Sequence, residues 1–144
     1  MSTVGEILRR KALQTIVSCA ASDSVLDAVR EMDRANTGSV VVLEDDRLVG
    51  IFSERDLMRR VVLRGREAAA TAVSEVMTRE LVCARPEEDV QAAMARMTRH
   101  RCRHLPVVTG DRVEGVISIG DLMKEQVVEQ TDEILILKQF ISSS

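Results

Sequence analysis

The sequence predicts an α+β fold made of two tandem β-α-β-β-α units packed sheet against sheet. Three observations carry that expectation. Shifted by 65 residues, the stretch 15–60 lies on 80–125 without a gap, and 13 of the 46 aligned positions are identical. Each copy then runs through the same order of local patterns. Finally, the 144-residue chain is 45% apolar with only two aromatic residues, Phe52 and Phe140, so its core must be aliphatic. A unit of this size has little core of its own, which is why the two copies are expected to share burial.

The first strand of each copy is assigned to residues 15–18 and 81–83. The helices follow. Val25, Ala28, Val29 and Met32 fall at i, i+3, i+4 and i+7, as do Val90, Ala93, Met94 and Met97, which gives one apolar stripe per helix. Ser22-Asp23-Ser24 and Pro86-Glu87-Glu88-Asp89 precede them and supply N-cap acceptors and dipole-matched charge.

A β-branched run, 40–43 or 105–108, a polar turn and a second apolar run, 48–52 or 113–117, read as a hairpin in each copy. A helix is expected to open at Asp56 and again at Asp121. A shorter echo at an offset of 69 relates Val4-Gly-Glu-Ile-Leu8 to Val73-Ser-Glu-Val-Met77. The Arg64-Gly65-Arg66 and Ala-rich stretch within 61–72 reads as the linker. The organisation is therefore residues 1–65 for the first repeat with its N-terminal segment, 66–126 for the second, and 127–144 for a C-terminal helix and tail.

The most informative motif is Gly-x-x-Ser-x-x-Asp, present as Gly50, Ser53, Asp56 and as Gly115, Ser118, Asp121. A serine hydroxyl beside helix N-terminal amides suits a phosphate, and an Asp one turn on can accept two bonds from a ribose diol. The glycine would let backbone approach a ligand closely. The alternative is that Ser and Asp are helix caps. Arg101, Arg103 and His104 precede the second hairpin, whereas Gly38 and Ser39 stand opposite Arg103 and His104 in the first copy. On their own they read as a solvated basic edge. Cys102, between two arginines, is either a thiol of lowered pKa or a small core residue.

These paired repeats with Gly-x-x-Ser-x-x-Asp, together with Arg101-Cys-Arg-His-Leu-Pro-Val107, resemble tandem CBS-domain proteins of the small stand-alone bacterial type, the unit called a Bateman module. The resemblance spans nearly the whole chain. It implies two copies related by pseudo-twofold symmetry, with two clefts that take adenosine-containing ligands: AMP, ADP, ATP, NAD(H) or S-adenosylmethionine. By that resemblance Asp56 and Asp121 would hold ribose, Ser53 and Ser118 phosphate, and Ile16, Val17, Leu81 and Val82 would flank adenine, with Arg101, Arg103 and His104 as the main phosphate ligands, which would make one cleft dominant. Phe52 is the one aromatic next to such a site. The resemblance also implies a homodimer, with the apolar positions Val127, Ile134, Leu137 and Ile141 packing on the chain itself or on a second subunit.

Other function classes fit poorly. Base-stacking nucleic-acid binding lacks aromatic platforms, and Arg55, Arg59, Arg60, Arg64 and Arg66 read more simply as a solvated helix and linker. His100 and His104 lack further metal ligands. There is no nucleophile triad and no glycine-rich phosphate loop, so a non-catalytic regulatory sensor is expected, needing no resident cofactor and acting on an effector protein. A ligand-free structural or interaction module is the alternative. The longest uncharged run, 12–22, is too short to span a membrane, and no secretory signal is visible. Three widely spaced cysteines suit a reducing cytoplasm.

Overall fold

The computed structural model describes residues 2–11 and 16–142. It contains helix α1 (Val4–Arg10), strand β1 (Ser18–Ala20), helix α2 (Val25–Ala35) and strands β2 (Ser39–Glu44) and β3 (Arg47–Ser53). Helix α3 (Glu54–Asp56) runs on into a π-helical segment, Leu57–Val62. The second copy comprises α4 (Val90–His100), β4 (His104–Thr109), β5 (Arg112–Ser118) and α5 (Ile119–Ser142).

Local chemistry explains most boundaries. Ser24 caps α2 by accepting from the Asp27 amide, and Asp89 caps α4 by accepting from the Gln91 and Ala92 amides. Both helices end on a left-handed residue, Asn36 at φ 52° and Arg101 at φ 55°. The hairpins close differently. Asp45 and Asp46 both adopt positive φ between β2 and β3, while Gly110 alone does so between β4 and β5. Each hairpin carries a bulge at the same place, after Val42 and after Val107.

The first strands lie later than expected. Strand β1 begins at Ser18 and pairs in parallel with β2, Cys19 opposite Val42. Residue 15 lies outside the described residues, and 16–17 are not strand. In the second copy 81–83 form no strand at all; a single parallel bridge joins Ala84 to Val107. The polar Arg85 and the turn-forming Pro86 follow at once and stop the ladder. The helices expected to open at Asp56 and Asp121 open two residues earlier, because Ser53 and Ser118 are the residues whose hydroxyls cap them.

Two aliphatic cores result, and each recruits a segment that lies beside the other copy in sequence. Val4 and Ile7 of α1 are buried with Ala84, Val90, Ala93, Met97, Leu105 and Ile117. Val73, Val76 and Met77 are buried with Val25, Ala28, Met32, Val40 and Phe52. Matching backbone bonds clamp the segments. Val4 N–H donates to Glu88 O at 2.9 Å as Val73 N–H donates to Asp23 O at 2.8 Å, and Gly5 donates to Pro86 as Ser74 donates to Ala21. The two echoes thus cross over, so a division at residue 65 orders the sequence but not the cores. β3 meets β5 where the copies join.

Gly50 and Gly115 serve this crossing rather than a ligand. A Cβ on Gly50 would come within 2.5 Å of Met77 Sδ and 3.0 Å of Thr78 O, and one on Gly115 within 2.5 Å of Leu8 Cδ1. Phe52, the one aromatic next to the first motif in sequence, is wholly buried in the first core, on the strand face opposite Ile51 and Ser53. The second copy's closing helix and the tail are one unbroken helix, α5. Among the described residues, no helix is long and apolar enough to cross a membrane.

The crossing makes a specific prediction. Ile7→Ala removes buried methyls from the second core and should cost about 2–4 kcal/mol. Amide exchange should then quicken in β4 and β5 before β2 and β3. Loosening of β2 and β3 first would contradict the packing.

Candidate functional site

A cavity of about 710 Å³ opens between the two copies, within the roughly 300–1,000 Å³ typical of small-molecule sites. Its walls come from Gly38 and the first residue of β2, Ser39, the end of β3 (Ile51, Ser53), α3, Thr78 with Glu80, Leu81 and Val82, and the α4–β4 corner. Of the residues singled out from the sequence, it gathers Ser53, Asp56, Leu81, Val82, Arg101, Arg103 and His104. The basic corner of the second copy therefore faces the Ser/Asp motif of the first. Ser118, Asp121, Ile16 and Val17 do not line it.

Both Ser/Asp motifs are helix caps. Ser53 Oγ accepts from the Asp56 amide at 3.3 Å, while Asp56 Oδ2 accepts from the Ser53 amide at 3.0 Å and from its hydroxyl at 3.1 Å. Asp56 is buried, and Thr78 donates to its Oδ1 at 3.0 Å, with the Arg60 guanidinium 3.7 Å away. The second motif repeats the cap: the Ser118 amide donates to Asp121 Oδ2 at 2.9 Å, and the Asp121 amide donates to Ser118 Oγ at 3.1 Å.

Beyond the caps the two motifs differ. Lys11 Nζ donates to Asp121 Oδ2 at 2.6 Å and to Val116 O at 3.4 Å. Burial works against the Asp121 carboxylate, but Lys11 and the Ser118 amide outweigh it and hold the carboxyl below its usual range. A neutral threonine meets the first motif where an ammonium meets the second. The sequence reading missed Thr78 and Lys11 because neither belongs to the repeated motif. Each lies just beyond one of the crossing echoes.

Arg101 sits in the left-handed region, a conformation that disfavours a Cβ-bearing residue by roughly 1–2 kcal/mol. Its counterpart 65 residues earlier, Asn36, tolerates that conformation better. As the left-handed C-cap of α4, Arg101 sits at the cavity wall. Arg55 and Arg103 add positive charge, and Glu54, Asp56 and Glu80 negative charge, so the lining is mixed rather than uniformly basic.

His104 is half-buried on β4 opposite Ser118. Burial lowers its pKa, Asp121 and Glu54 draw it up, and Lys11 and Arg103 push it down. It therefore enters the site as a neutral imidazole at pH 7. Cys102 lines the cavity too, but burial pushes its thiol up. The flanking arginines do not activate it, which corrects the reactive-thiol alternative. Cys19 is pushed up to about 12 by burial and by Asp23. Among the described residues, no group of three or more His, Cys, Asp or Glu is placed to hold a metal ion.

The His104 shift has a testable sign. Its folded-state pKa lies below the ordinary 6.5, so the unfolded chain binds the proton first as pH falls. The stability is intact above about pH 6.5 and declines as pH drops through the depressed value. His104→Gln should reduce the loss of melting temperature between pH 7.5 and 5.5. An equal loss in both proteins would contradict the assignment.

Comparison with known proteins gives the same outline. The sequence pattern of the CBS domain matches residues 4–63 and 73–128. The mitochondrial CBS domain-containing protein CBSX3 of Arabidopsis thaliana is 35% identical over 97% of this chain and 72% of its own length. A solved structure of a protein with CBS domains from Burkholderia ambifaria MC40-6 is 40% identical, with a TM-score of 0.84, and covers 90% of this chain and 96% of that one. A further fold match, 20% identical with a TM-score of 0.79, is the CBS domain pair of protein MJ0100 in complex with 5-methylthioadenosine and S-adenosylmethionine; it covers 90% of this chain and 98% of that one. With two CBS repeats spanning most of its length and folded as a pair, this chain belongs to the CBS-domain family.

Proposed function

We propose that this CBS pair is a non-catalytic sensor of an adenosine-containing ligand, AMP, ADP, ATP, NAD(H) or S-adenosylmethionine, bound in the cavity between the copies. The carrying observation is that one cavity unites the Ser53/Asp56 helix cap with Arg101, Arg103 and His104 of the other copy. Support also comes from the adenosyl compounds held by the MJ0100 CBS pair.

In this reading Arg101 and Arg103 take the phosphate or other charged end, with Ser53 and His104 as neutral hydrogen-bond partners. Asp56 offers carboxylate oxygens to the ribose, Thr78 turning away to release them. Ile51, Leu81, Val82 and Pro106 give the base an aliphatic bed in place of an aromatic one. The Asp121 cleft is the weaker of the two, because a ligand there has to displace Lys11. Ile16 and Val17 would flank a base only in that cleft.

Ligand binding would favour one arrangement of the copies and so change a surface read by an effector protein, in a cytoplasmic setting. The working assembly is a homodimer. Met58, Val62 and Leu63 recur 65 residues on as Met123, Val127 and Val128, and all six are exposed, so a twofold partner would meet repeat-related apolar rows.

Thermal melting against the five ligands tests the proposal. A ligand at about 100 times its Kd stabilises by roughly 2.7 kcal/mol, which is about 5–10 °C for a chain of this size. Arg103→Ala should weaken the effective ligand about tenfold or more, a charge-assisted bond being worth roughly 1.5–3 kcal/mol. Arg101→Gly should raise the ligand-free melting temperature while lowering affinity. No shift with any of the five would favour a ligand-free interaction module, a role the self-satisfied caps permit.

A further inference from the structure

Helix α5 is longer than its own module needs. Its 24 residues extend about 36 Å at 1.5 Å per residue, yet its buried residues are Leu122 and Glu125, near its start. Glu129, a turn after Glu125, accepts from the Ser2 amide at 3.0 Å. From Gln130 onward every described residue is exposed, including Ile134, Leu135, Ile136 and Leu137. Helices of this length in water draw most of their stability from packing of an apolar face.

The spacing indicates what packs there. Met123, Val127, Gln130, Ile134, Leu137 and Ile141 follow one another at intervals of four, three, four, three and four, the seam of a heptad repeat. β-Branched residues hold one seam position (Val127, Ile134, Ile141), and Met123, Gln130 and Leu137 hold the other. Branched residues at the first position favour two parallel strands when leucine holds the second, as Leu137 does here. Glu133 and Lys138 flank the seam five residues apart, the separation at which opposite charges meet across a parallel pair. An antiparallel pair would lose that complementary contact.

We propose that α5 forms a parallel, in-register two-stranded coiled coil with α5 of a second copy of this chain, Glu133 of each copy facing Lys138 of the other. This rests on the homodimer reading and names its surface and orientation. Gln130 fixes the register, since only in register do the two amides meet; any slip sets a buried amide against an aliphatic side chain. Leu135 and Ile136 lie outside the seam and are not used by it.

Sedimentation equilibrium on the full chain tests this. Glu133→Lys and Lys138→Glu should each raise the dimer dissociation constant roughly 3- to 10-fold, and the double exchange should restore it. Ile134→Asp, at an exposed position that leaves the cores intact, should give a folded monomer. Leu137→Cys should cross-link to a dimer under oxidation where the unsubstituted chain does not. A monomeric parent chain would overturn both this proposal and the homodimer. A dimer unmoved by the charge reversals and by Ile134→Asp would overturn the coiled coil alone. Singles that weaken the dimer with a double weaker still would overturn the parallel orientation.

Discussion

The structure turns on an exchange: each core is completed by a segment that neighbours the other copy in sequence. Val4 and Ile7 seal the second core, and Val73, Val76 and Met77 seal the first. Three matching backbone bonds hold each segment, among them Val90 N–H to Ser2 O and Val25 N–H to Thr71 O. A half of this size buries too little apolar surface to stand comfortably alone. With the segments crossed, neither core is complete unless both copies are in place. The cavity inherits this constraint, since its walls come from both copies and from Thr78, Glu80, Leu81 and Val82, directly after a crossing segment.

Crossing also gives two similar halves dissimilar surroundings for their Ser/Asp motifs. Where the first copy's Asp56 meets the Thr78 hydroxyl, the second copy's Asp121 meets the Lys11 ammonium. Across the cavity the basic corner exists in one copy alone: Arg101, Arg103 and His104 occupy places that the first copy fills with Asn36, Gly38 and Ser39. The differences reinforce one another. The motif whose carboxylate meets no ammonium, only the Arg60 guanidinium 3.7 Å away, is also the one facing the arginines. A ligand there would touch both copies at once, as a rearrangement of the pair requires.

Much of this was legible in the sequence because the repeat doubles every local signal. Helix stripes, N-caps and hairpins each occur twice, and Ser24 and Asp89 cap where their chemistry says they should, whereas the helices after Ser53 and Ser118 open two residues earlier than expected. What was not legible depends on long-range contact. The echo at offset 69 was visible, but nothing local says that Leu8 packs on Gly115 and Met77 on Gly50, which gives those glycines a steric role in place of a ligand-facing one. The face that Phe52 takes follows from strand register, and the register placed Ser53 on the cavity and Phe52 in the core. The first strand of the second copy shrank to one bridge because Arg85 and Pro86 follow Ala84 at once. Cys102 shows the limit of reading charge from neighbours along the chain: burial, not the adjoining arginines, sets its thiol.

In the proposed reading the ligand sits in the cavity shared by the Ser53/Asp56 cap and the Arg101–His104 corner. A crystal structure of the chain with whichever nucleotide raises its melting temperature most tests it directly. The charged end of the ligand should lie against Arg101 and Arg103, the ribose beside Asp56, and the Lys11–Asp121 pair should stay intact. A ligand seated at Asp121 with Lys11 displaced, and the Ser53/Asp56 cavity empty, would contradict it.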